Sequence, residues 1–231
     1  MSAERTTLLL VPGLLCDEGL WRHQVDALSP EVDCVVADVA GHDGVAALAS
    51  AALTGVDGPF ALAGLSMGGY VALEILRQAP ERVTRLALVD TQPRQDSFEQ
   101  SERRRGFVDQ VRAGGFAEVV AALVPLTMHP DHVPDLAAEF TAMAHRVGPE
   151  VFLRQQAAII ARPDSVPSLA VVACPTLVIC GREDRITPLE GSELMAAEIP
   201  GARLEVLEHC GHMSALEQPD VVTGLLREWL G

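Results

Sequence analysis

Six short apolar segments, spread along the chain, constrain the fold more than any other feature of this sequence. Each is nearly continuous in Leu, Val, Ile and Ala, without the alternation expected of a strand that has one face in water. Such runs are typical of strands covered on both faces, as in parallel sheets. The predicted strands are 6–11, 32–39, 59–64, 84–90, 175–180 and 203–208.

Amphipathic segments separate most of these predicted strands. They lie near Trp21–Leu28, Val45–Leu53, Met67–Gln78 and Leu189–Glu198, and a last one follows Pro219. Apolar residues in the last segment recur at helical spacing, which indicates a C-terminal helix with one buried face. Strands and helices in alternation predict an α/β fold with a doubly wound, mainly parallel sheet.

One interval, from about Thr91 to Ala173, breaks the alternation because it contains no convincing strand. Its segments are polar or helical in pattern, as in "FAEVVAALVPL" and "DLAAEFTAMAHRV". A structureless loop of this length is uncommon inside a compact domain. The economical interpretation is a helical insertion between two strands of the sheet.

Charge and cysteine content exclude several classes of function. The formal net charge is −15, which argues against nucleic acid or an anionic membrane as a partner. No apolar run is long enough to span a bilayer. The first apolar run, near the N-terminus, is interpreted as a buried strand rather than a signal peptide. The five cysteines lack C-x-x-C spacing, so we expect reduced thiols, a cytoplasmic protein and no all-cysteine metal site.

The most informative motif is Gly64-Leu65-Ser66-Met67-Gly68, a G-x-S-x-G sequence between a predicted strand and a predicted helix. Small residues on both sides allow the sharp turn that presents a serine hydroxyl at the end of a sheet. The Met67 N–H, at the start of the helix, then points toward a developing oxyanion. The pentapeptide alone also fits a plain tight turn. It does not fit a phosphate-binding loop, because both glycine-rich nucleotide motifs fail here.

Two later residues complete a possible acid–base set. Asp184 follows the predicted strand that ends near Cys180, and His212 lies between the last strand and the last helix. Serine needs a base within hydrogen-bond reach and a group that orients the base. Glu183 and Asp90 are rival carboxylates, and Asp184 could merely cap a turn. His209 is the rival base, and a metal held by two histidines at this spacing lacks carboxylate-rich partners.

On these motifs the sequence resembles the α/β-hydrolase superfamily, in particular serine hydrolases of the carboxylesterase type. The matching segments are "LLLVPGLLCDEGLW", "LAGLSMGGYVAL", "CPTLVICGREDRITP" and "HCGHMSALEQPD". The resemblance implies Ser66 as the nucleophile, Asp184 as the acid and His212 as the base. It also implies an oxyanion hole formed by the N–H groups of Leu14 and Met67.

The resemblance implies a domain organisation as well. Residues 1–91 and 171–231 would form the α/β-hydrolase core, and residues 92–170 would form a helical cap that selects the substrate. The family's usual His-Gly before the oxyanion loop is replaced by Pro12-Gly13. The usual N-terminal hairpin is missing, so we expect a sheet of about six parallel strands.

Two further features lie near this expected site. Cys16 and Trp21 follow the oxyanion loop, where they would line the pocket or pack in the core. Arg103, Arg104 and Arg105 form a basic run in an acidic chain. The simplest interpretation of this run is a solvated helix face, with a docking site for a carboxylate, a phosphopantetheine carrier or coenzyme A as an alternative that the sequence does not support.

The sequence therefore predicts a serine hydrolase that cleaves a small to medium, rather apolar ester or thioester through an acyl-enzyme on Ser66. No cofactor and no metal is needed for this chemistry. A lactonase, an amidase or a C–C bond hydrolase would use the same three residues. A non-catalytic ligand-binding protein with this fold is the alternative from another class. The substrate and the oligomeric state cannot be predicted from these residues.

Overall fold

The computed structural model describes residues 5–231, so residues 1–4 of the predicted core segment lie outside it. Six strands form one sheet in the order β2-β1-β3-β4-β5-β6, and every neighbouring pair is parallel. The predicted sheet of about six parallel strands is confirmed. The strands are β1 Thr7–Val11, β2 Asp33–Val36, β3 Phe60–Leu65, β4 Val83–Val89, β5 Thr176–Gly181 and β6 Arg203–Leu207.

Each strand is built for a sheet with helices on both faces. Along β1, Leu8 and Leu10 belong to one buried cluster, whereas Leu9 and Val11 belong to a second cluster. Successive side chains of a strand point to opposite faces, so the two clusters are the two helix-covered layers. The central strands β1, β3 and β5 are buried almost throughout, and the edge strands β2 and β6 are partly exposed. This burial explains the continuous apolar runs of the sequence.

Helices occupy the amphipathic segments of the sequence. Strand β2 is shorter than predicted, because the chain leaves the sheet after Val36. No helix within residues 5–231 combines the length and apolarity needed to cross a membrane. Besides a 3-10 helix at Glu18–Trp21, the core helices are α1 Arg22–Leu28, α2 Val45–Thr54, α3 Met67–Gln78, α9 Leu189–Glu198, α10 Ser214–Glu217 and α11 Pro219–Leu230.

The long interval between β4 and β5 is helical. Helix α4 begins after Ser97, whose hydroxyl accepts a hydrogen bond from the Gln100 N–H while the Gln100 side chain returns to the Ser97 N–H, a capping box that fixes the start of the helix. The division of the chain into a core and a cap stays a prediction. The helices in this interval are α4 Phe98–Arg112, α5 Phe116–Thr127, α6 Val133–Val147, α7 Pro149–Ile160 and α8 Val166–Leu169.

The strand order places a crevice at one edge of the sheet. The chain passes from β1 outward to β2 and then returns to the other side of β1 to form β3, so the order reverses between β1 and β3. Ligands of open α/β sheets bind at the carboxyl ends of the strands beside such a reversal. The segment after β1 contains Leu14, and the segment after β3 begins with Ser66.

Candidate active site

Ser66 occupies a turn that requires glycine on either side. Its backbone has φ 56° and ψ −117°, a left-handed conformation that is strained for a residue with a side chain. A Cβ atom on Gly64 would lie 2.3 Å from the Gly68 carbonyl oxygen, and one on Gly68 would lie 2.1 Å from the Val11 carbonyl oxygen. Helix α3 therefore approaches β3 at Gly64 and β1 at Gly68 too closely for any other residue at these two positions. The Thr91 hydroxyl braces the turn by donating to the Ser66 carbonyl oxygen at 2.8 Å.

Three side chains from three loops form a continuous chain of hydrogen bonds. Ser66 Oγ lies 2.8 Å from His212 Nε2, and His212 Nδ1 lies 2.8 Å from Asp184 Oδ2. All three residues are buried. With a proton on Nδ1, the ring donates to Asp184 and its Nε2 accepts from the serine hydroxyl. The structure thus brings Ser66, Asp184 and His212 together in the order needed for general-base activation of a hydroxyl.

Asp184 is held on all sides by its own loop. Its Oδ1 accepts the N–H groups of Ile186 and Thr187 at 2.8 and 2.9 Å, and its Oδ2 accepts the Thr187 hydroxyl at 2.8 Å. The Thr187 hydroxyl also lies 3.2 Å from His212 Nδ1. A carboxylate with this many donors has one orientation, so it fixes the direction of the imidazole ring.

The loop that carries His212 is fastened by a second buried carboxylate, Glu217. One Glu217 oxygen accepts the Gly211 N–H at 2.9 Å, and the other accepts the Met213 N–H at 3.0 Å. The His212 N–H itself donates to the Thr127 carbonyl oxygen at 3.0 Å. Three consecutive backbone N–H groups are therefore satisfied by fixed acceptors, and the histidine has little freedom to leave the serine.

The rival residues have other partners. Glu183 accepts the Cys210 N–H at 3.0 Å, and His209 packs edge-to-face on the His129 ring with 5.8 Å between centroids. Asp90 is fully buried and joins the two loops: it accepts the Gly181 N–H at 3.0 Å and the Ser214 N–H at 2.9 Å. Of the three carboxylates that the sequence offered, only Asp184 has a hydrogen bond to His212 in the described structure.

Negative charge around His212 governs its protonation. Burial by itself would lower the pKa of His212, but the charge and hydrogen bond of Asp184 outweigh burial, and the charges of Asp90 and Glu217 add to them. The pKa of His212 is therefore higher than its ordinary value. Burial, followed by the nearby Asp184 charge, raises the pKa of Asp90 to about 7. A histidine with a perturbed pKa that lines a cavity, as His212 does, is typical of sites that transfer protons.

Two backbone N–H groups near Ser66 are available to a ligand. Within residues 5–231, neither the Leu14 nor the Met67 N–H donates a hydrogen bond to another residue. The loop that carries Leu14 is held by Gln155 of α7, whose Oε1 accepts the Leu15 N–H at 3.0 Å. The Leu15 backbone has φ 60°, which is the tight turn that follows Pro12-Gly13.

A cavity opens onto Ser66 and His212, with helices α4–α7 on its far side. Its interior volume is about 100 Å³. Cys16 lines it, and burial raises the pKa of that thiol far above its usual range, so Cys16 stays a neutral side chain. The apolar lining of the cavity includes Leu14, Phe107, Leu123, Leu126, Phe140 and Met213.

Trp21 requires a correction to the expected pocket residues. It is absent from the cavity lining and is fully buried in one of the two core clusters. The 3-10 helix that ends at Trp21 turns the ring inward, where a large aromatic side chain removes a large apolar area from water. Of the two interpretations that the sequence allowed for Trp21, core packing is the one observed.

A sequence model of the alpha/beta hydrolase family matches residues 8–225. The chain belongs to the alpha/beta hydrolase family. The pimeloyl-[acyl-carrier protein] methyl ester esterase of Nitrosomonas europaea is 28% identical over 92% of this chain and 91% of its own length. An Azorhizobium caulinodans protein provisionally named carbamate hydrolase RutD is 28% identical over 98% of this chain and 91% of its own.

A solved structure gives the same result for the fold of this hydrolase. A thermophilic esterase from Thermogutta terrifontis superimposes with a TM-score of 0.89 at 32% identity, over 97% of this chain and 89% of that one. The predicted resemblance to α/β hydrolases is confirmed over residues 8–225. The likeness includes the interval between β4 and β5, because coverage this high leaves no room for an unmatched insertion of that length.

Three residues that position the site of this hydrolase were missed by the sequence analysis, namely Thr187, Glu217 and Gln155. Thr187 stands three residues after Asp184, a spacing at which a hydroxyl can reach back to the carboxylate. Glu217 ends a four-residue helix whose short pattern gives no periodic signal. Gln155 carried no signal at all, since its partner Leu15 is 140 residues away in the chain.

Proposed function

We propose that this hydrolase is a serine esterase that cleaves a small to medium carboxylic ester through an acyl-enzyme on Ser66. The observation that carries the proposal is the unbroken chain of hydrogen bonds from Ser66 through His212 to Asp184, located at the wall of an apolar cavity. The names of the esterase relatives agree with this reaction class.

In the first half-reaction, Ser66 Oγ attacks the ester carbonyl carbon while its proton moves to His212 Nε2. Asp184 stabilises the imidazolium through Nδ1. The tetrahedral oxyanion lies between the Leu14 and Met67 N–H groups, which donate to no other acceptor in the part of the chain that the structure describes. Collapse of this intermediate breaks the ester C–O bond, and His212 returns the proton to the departing alcohol. The acyl group is then covalently bound to Ser66.

In the second half-reaction, water replaces the alcohol. His212 takes a proton from water as the oxygen attacks the acyl carbon, and the same two N–H groups bind the second oxyanion. Loss of the Ser66 oxygen from carbon, with the proton returned by His212, releases the carboxylic acid and restores the serine. Besides the substrate and water, the proposed reaction uses only these residues of the protein.

The size of the cavity limits the substrate of this reaction. An interior of about 100 Å³ is smaller than the cavities of roughly 300–1,000 Å³ that hold drug-sized ligands. The apolar lining contributed by α4, α5 and α6 suits a short hydrocarbon segment next to the carbonyl. A thioester presents the same carbonyl to Ser66, so the test includes both kinds of leaving group.

The test combines turnover with covalent labelling. We expect the protein to hydrolyse p-nitrophenyl acetate and butyrate, and a fluorophosphonate to attach to Ser66, identified by peptide mass. Ser66→Ala should abolish both signals. Ser192→Ala is the matched control, because Ser192 is another fully buried serine on α9, away from the cavity, and both signals should persist in it. Saturable ligand binding without turnover of any ester, thioester, lactone or carbamate would overturn the proposal in favour of a binding protein.

A further inference from the structure

The charge of the cavity is opposite to that of the protein. The chain has 32 acidic and 17 basic side chains, yet the charged side chains that line the cavity in the described structure are Arg103, Arg104 and Arg185, with no Asp or Glu among them. Two of these belong to the basic run on α4, and the third directly follows Asp184. A surface that merely keeps this protein dissolved would be acidic, so a purely cationic lining calls for another explanation.

The deepest of the three arginines belongs to a buried cluster with a positive balance. Arg104 Nε lies 2.6 Å from Asp96, and Arg162 lies 2.7 Å from the other oxygen of the same carboxylate. One aspartate thus faces two guanidinium groups, and the cluster keeps one net positive charge. The Arg162 guanidinium also stacks on the Tyr70 ring at 4.1 Å, and Tyr70 lines the cavity.

The outer two arginines have no such partner. Arg103 and Arg185 are exposed, and within residues 5–231 neither side chain forms a salt bridge or a hydrogen bond, whereas most other arginines of the chain do. A guanidinium presents a fixed fork of donors that matches a carboxylate. Both forks are therefore available to an anion at the cavity.

Building on the function proposed above, we propose that the substrate is an ester whose far end carries a free carboxylate, bound by Arg103 and Arg185. The scissile carbonyl would lie at Ser66 and the hydrocarbon segment between Phe107 and Leu126. The positive cluster around Asp96 adds to the attraction. Because surface charges are screened beyond about 10 Å, the protein's overall charge of −15 does not prevent such an anion from binding.

The experiment compares monomethyl esters of unbranched dicarboxylic acids with methyl esters of monocarboxylic acids of matched chain length. The readout is the ratio of kcat/KM for the charged ester to kcat/KM for the neutral ester. We expect the wild type to favour the charged ester, and Arg103→Gln and Arg185→Gln each to lower the ratio by about 5-fold, as an exposed ion pair allows. The double variant should lower it by about 25-fold if the two effects add. Arg103→Lys should retain part of the preference, because it keeps the charge.

Arg94→Gln is the matched control, because Arg94 is also exposed and has no carboxylate partner for its side chain among residues 5–231, but does not line the cavity. The ratio should stay unchanged in that variant. Equal kcat/KM for the two esters in the wild type, or an equal loss in Arg94→Gln, would overturn the inference. A stronger preference for a phosphate-terminated ester would overturn the choice of carboxylate. Failure of the esterase mechanism is separate, because it would appear as turnover of the neutral ester in Ser66→Ala.

Discussion

The two walls of the cavity are built in different ways. On the wall formed by the sheet, the functional side chains lie in loops whose backbone groups are hydrogen-bonded: Asp184 accepts from two N–H groups, and Glu217 accepts from the N–H groups on both sides of His212. On the wall formed by helices α4–α6, apolar side chains and arginines line the space, and Arg103 has no partner within residues 5–231. The sheet wall therefore holds its functional side chains in fixed positions, whereas the helical wall offers an apolar and cationic surface to a ligand.

This difference assigns the chemical reaction to the sheet wall and the choice of substrate to the helical wall. Attack by a serine hydroxyl requires its base to stay within hydrogen-bond reach, and small displacements cost large factors in rate. Binding of a hydrocarbon or a carboxylate tolerates more variation, because apolar contact is not directional and exposed ion pairs are weak. We therefore expect substitutions on the sheet wall to affect kcat and stability, and substitutions on the helical wall to affect which substrate is used.

The largest effect should come from the chain of hydrogen bonds itself. Ser66→Ala and His212→Ala should each lower kcat by roughly 10⁴-fold or more, and Asp184→Asn somewhat less. Steady-state turnover of p-nitrophenyl butyrate measures this. Glu183→Gln provides the comparison, because it removes the charge of a neighbouring carboxylate that has no hydrogen bond to His212 in the described structure, and its loss of kcat should be far smaller. Comparable losses in Glu183→Gln and Asp184→Asn would contradict the assignment of the acid.

A smaller but still severe effect should follow from Gly68→Ala. The added methyl group would lie 2.1 Å from the Val11 carbonyl oxygen, so β1 and α3 must separate. We expect a loss of about 3 kcal/mol in the free energy of unfolding, near the upper end for overpacking, and a fall in kcat because the Ser66 turn moves. Urea denaturation with kinetics in parallel tests this. Unchanged stability would show that the turn can relax, contrary to the structure.

Next comes the carboxylate that fastens the histidine loop. Glu217→Gln places an amide NH₂ group opposite at least one of the N–H groups that Glu217 now accepts, and should cost about 2 kcal/mol of unfolding free energy. It should also lower kcat, because Gly211 and Met213 no longer hold His212 firmly. Thermal and urea unfolding give the first value. The control is Glu205→Gln, whose carboxylate pairs with Arg203 at the partly exposed edge strand and should change stability by less than about 1 kcal/mol.

The pH dependence tests the electrostatics of the same wall. His212 must be neutral to accept the serine proton, and its pKa is raised by the Asp184 charge against the effect of burial, so kcat/KM should rise with pH through a value above 6.5. Asp90→Asn removes one of the negative charges that favour the imidazolium, so this acid limb should move to lower pH. A profile of kcat/KM for a neutral ester from pH 5 to 9 measures both. A limb that moves to higher pH in Asp90→Asn would contradict this electrostatic account.

The smallest expected effect is on the helical wall, where a substitution should raise the free energy of unfolding instead of lowering it. Gly106 lies inside α4, and a Cβ atom there would meet no atom within 4 Å. Gly106→Ala should therefore raise the free energy of unfolding by about 0.5–1 kcal/mol, since alanine restricts the unfolded chain and favours helix. Urea denaturation of Gly106→Ala and Gly68→Ala in parallel measures this. The same glycine-to-alanine change should raise stability on the helical wall and lower it on the sheet wall. Destabilisation by Gly106→Ala would mean that α4 is packed more tightly than described.

Ser66 was predictable because its signal is local. The glycines, the preceding strand and the following helix all lie within the same short segment, and the close approach of Gly64 to Gly68 is a contact between near neighbours. The acid was harder, since Asp90, Glu183 and Asp184 all stand at or just after strand ends. Sequence could name these candidates, but the choice depends on which oxygen lies 2.8 Å from a histidine 28 positions away. The predicted boundary between core and cap, at residues 92 and 170, stays a prediction.

The sequence by itself determined the parallel sheet, the order of helices and strands along the chain, and Ser66 as the candidate nucleophile, and it named the candidates for the acid and the base. This was possible because a strand that is buried on both faces requires a continuous apolar run, and because a tight strand-to-helix turn requires glycine. Only the tertiary structure decided that Trp21 packs in the core, that Glu217 and Gln155 hold distant loops, and that arginines at positions 103, 104 and 185 line one cavity. Each of these depends on contacts between residues far apart in the chain, for which a single sequence carries no local signal.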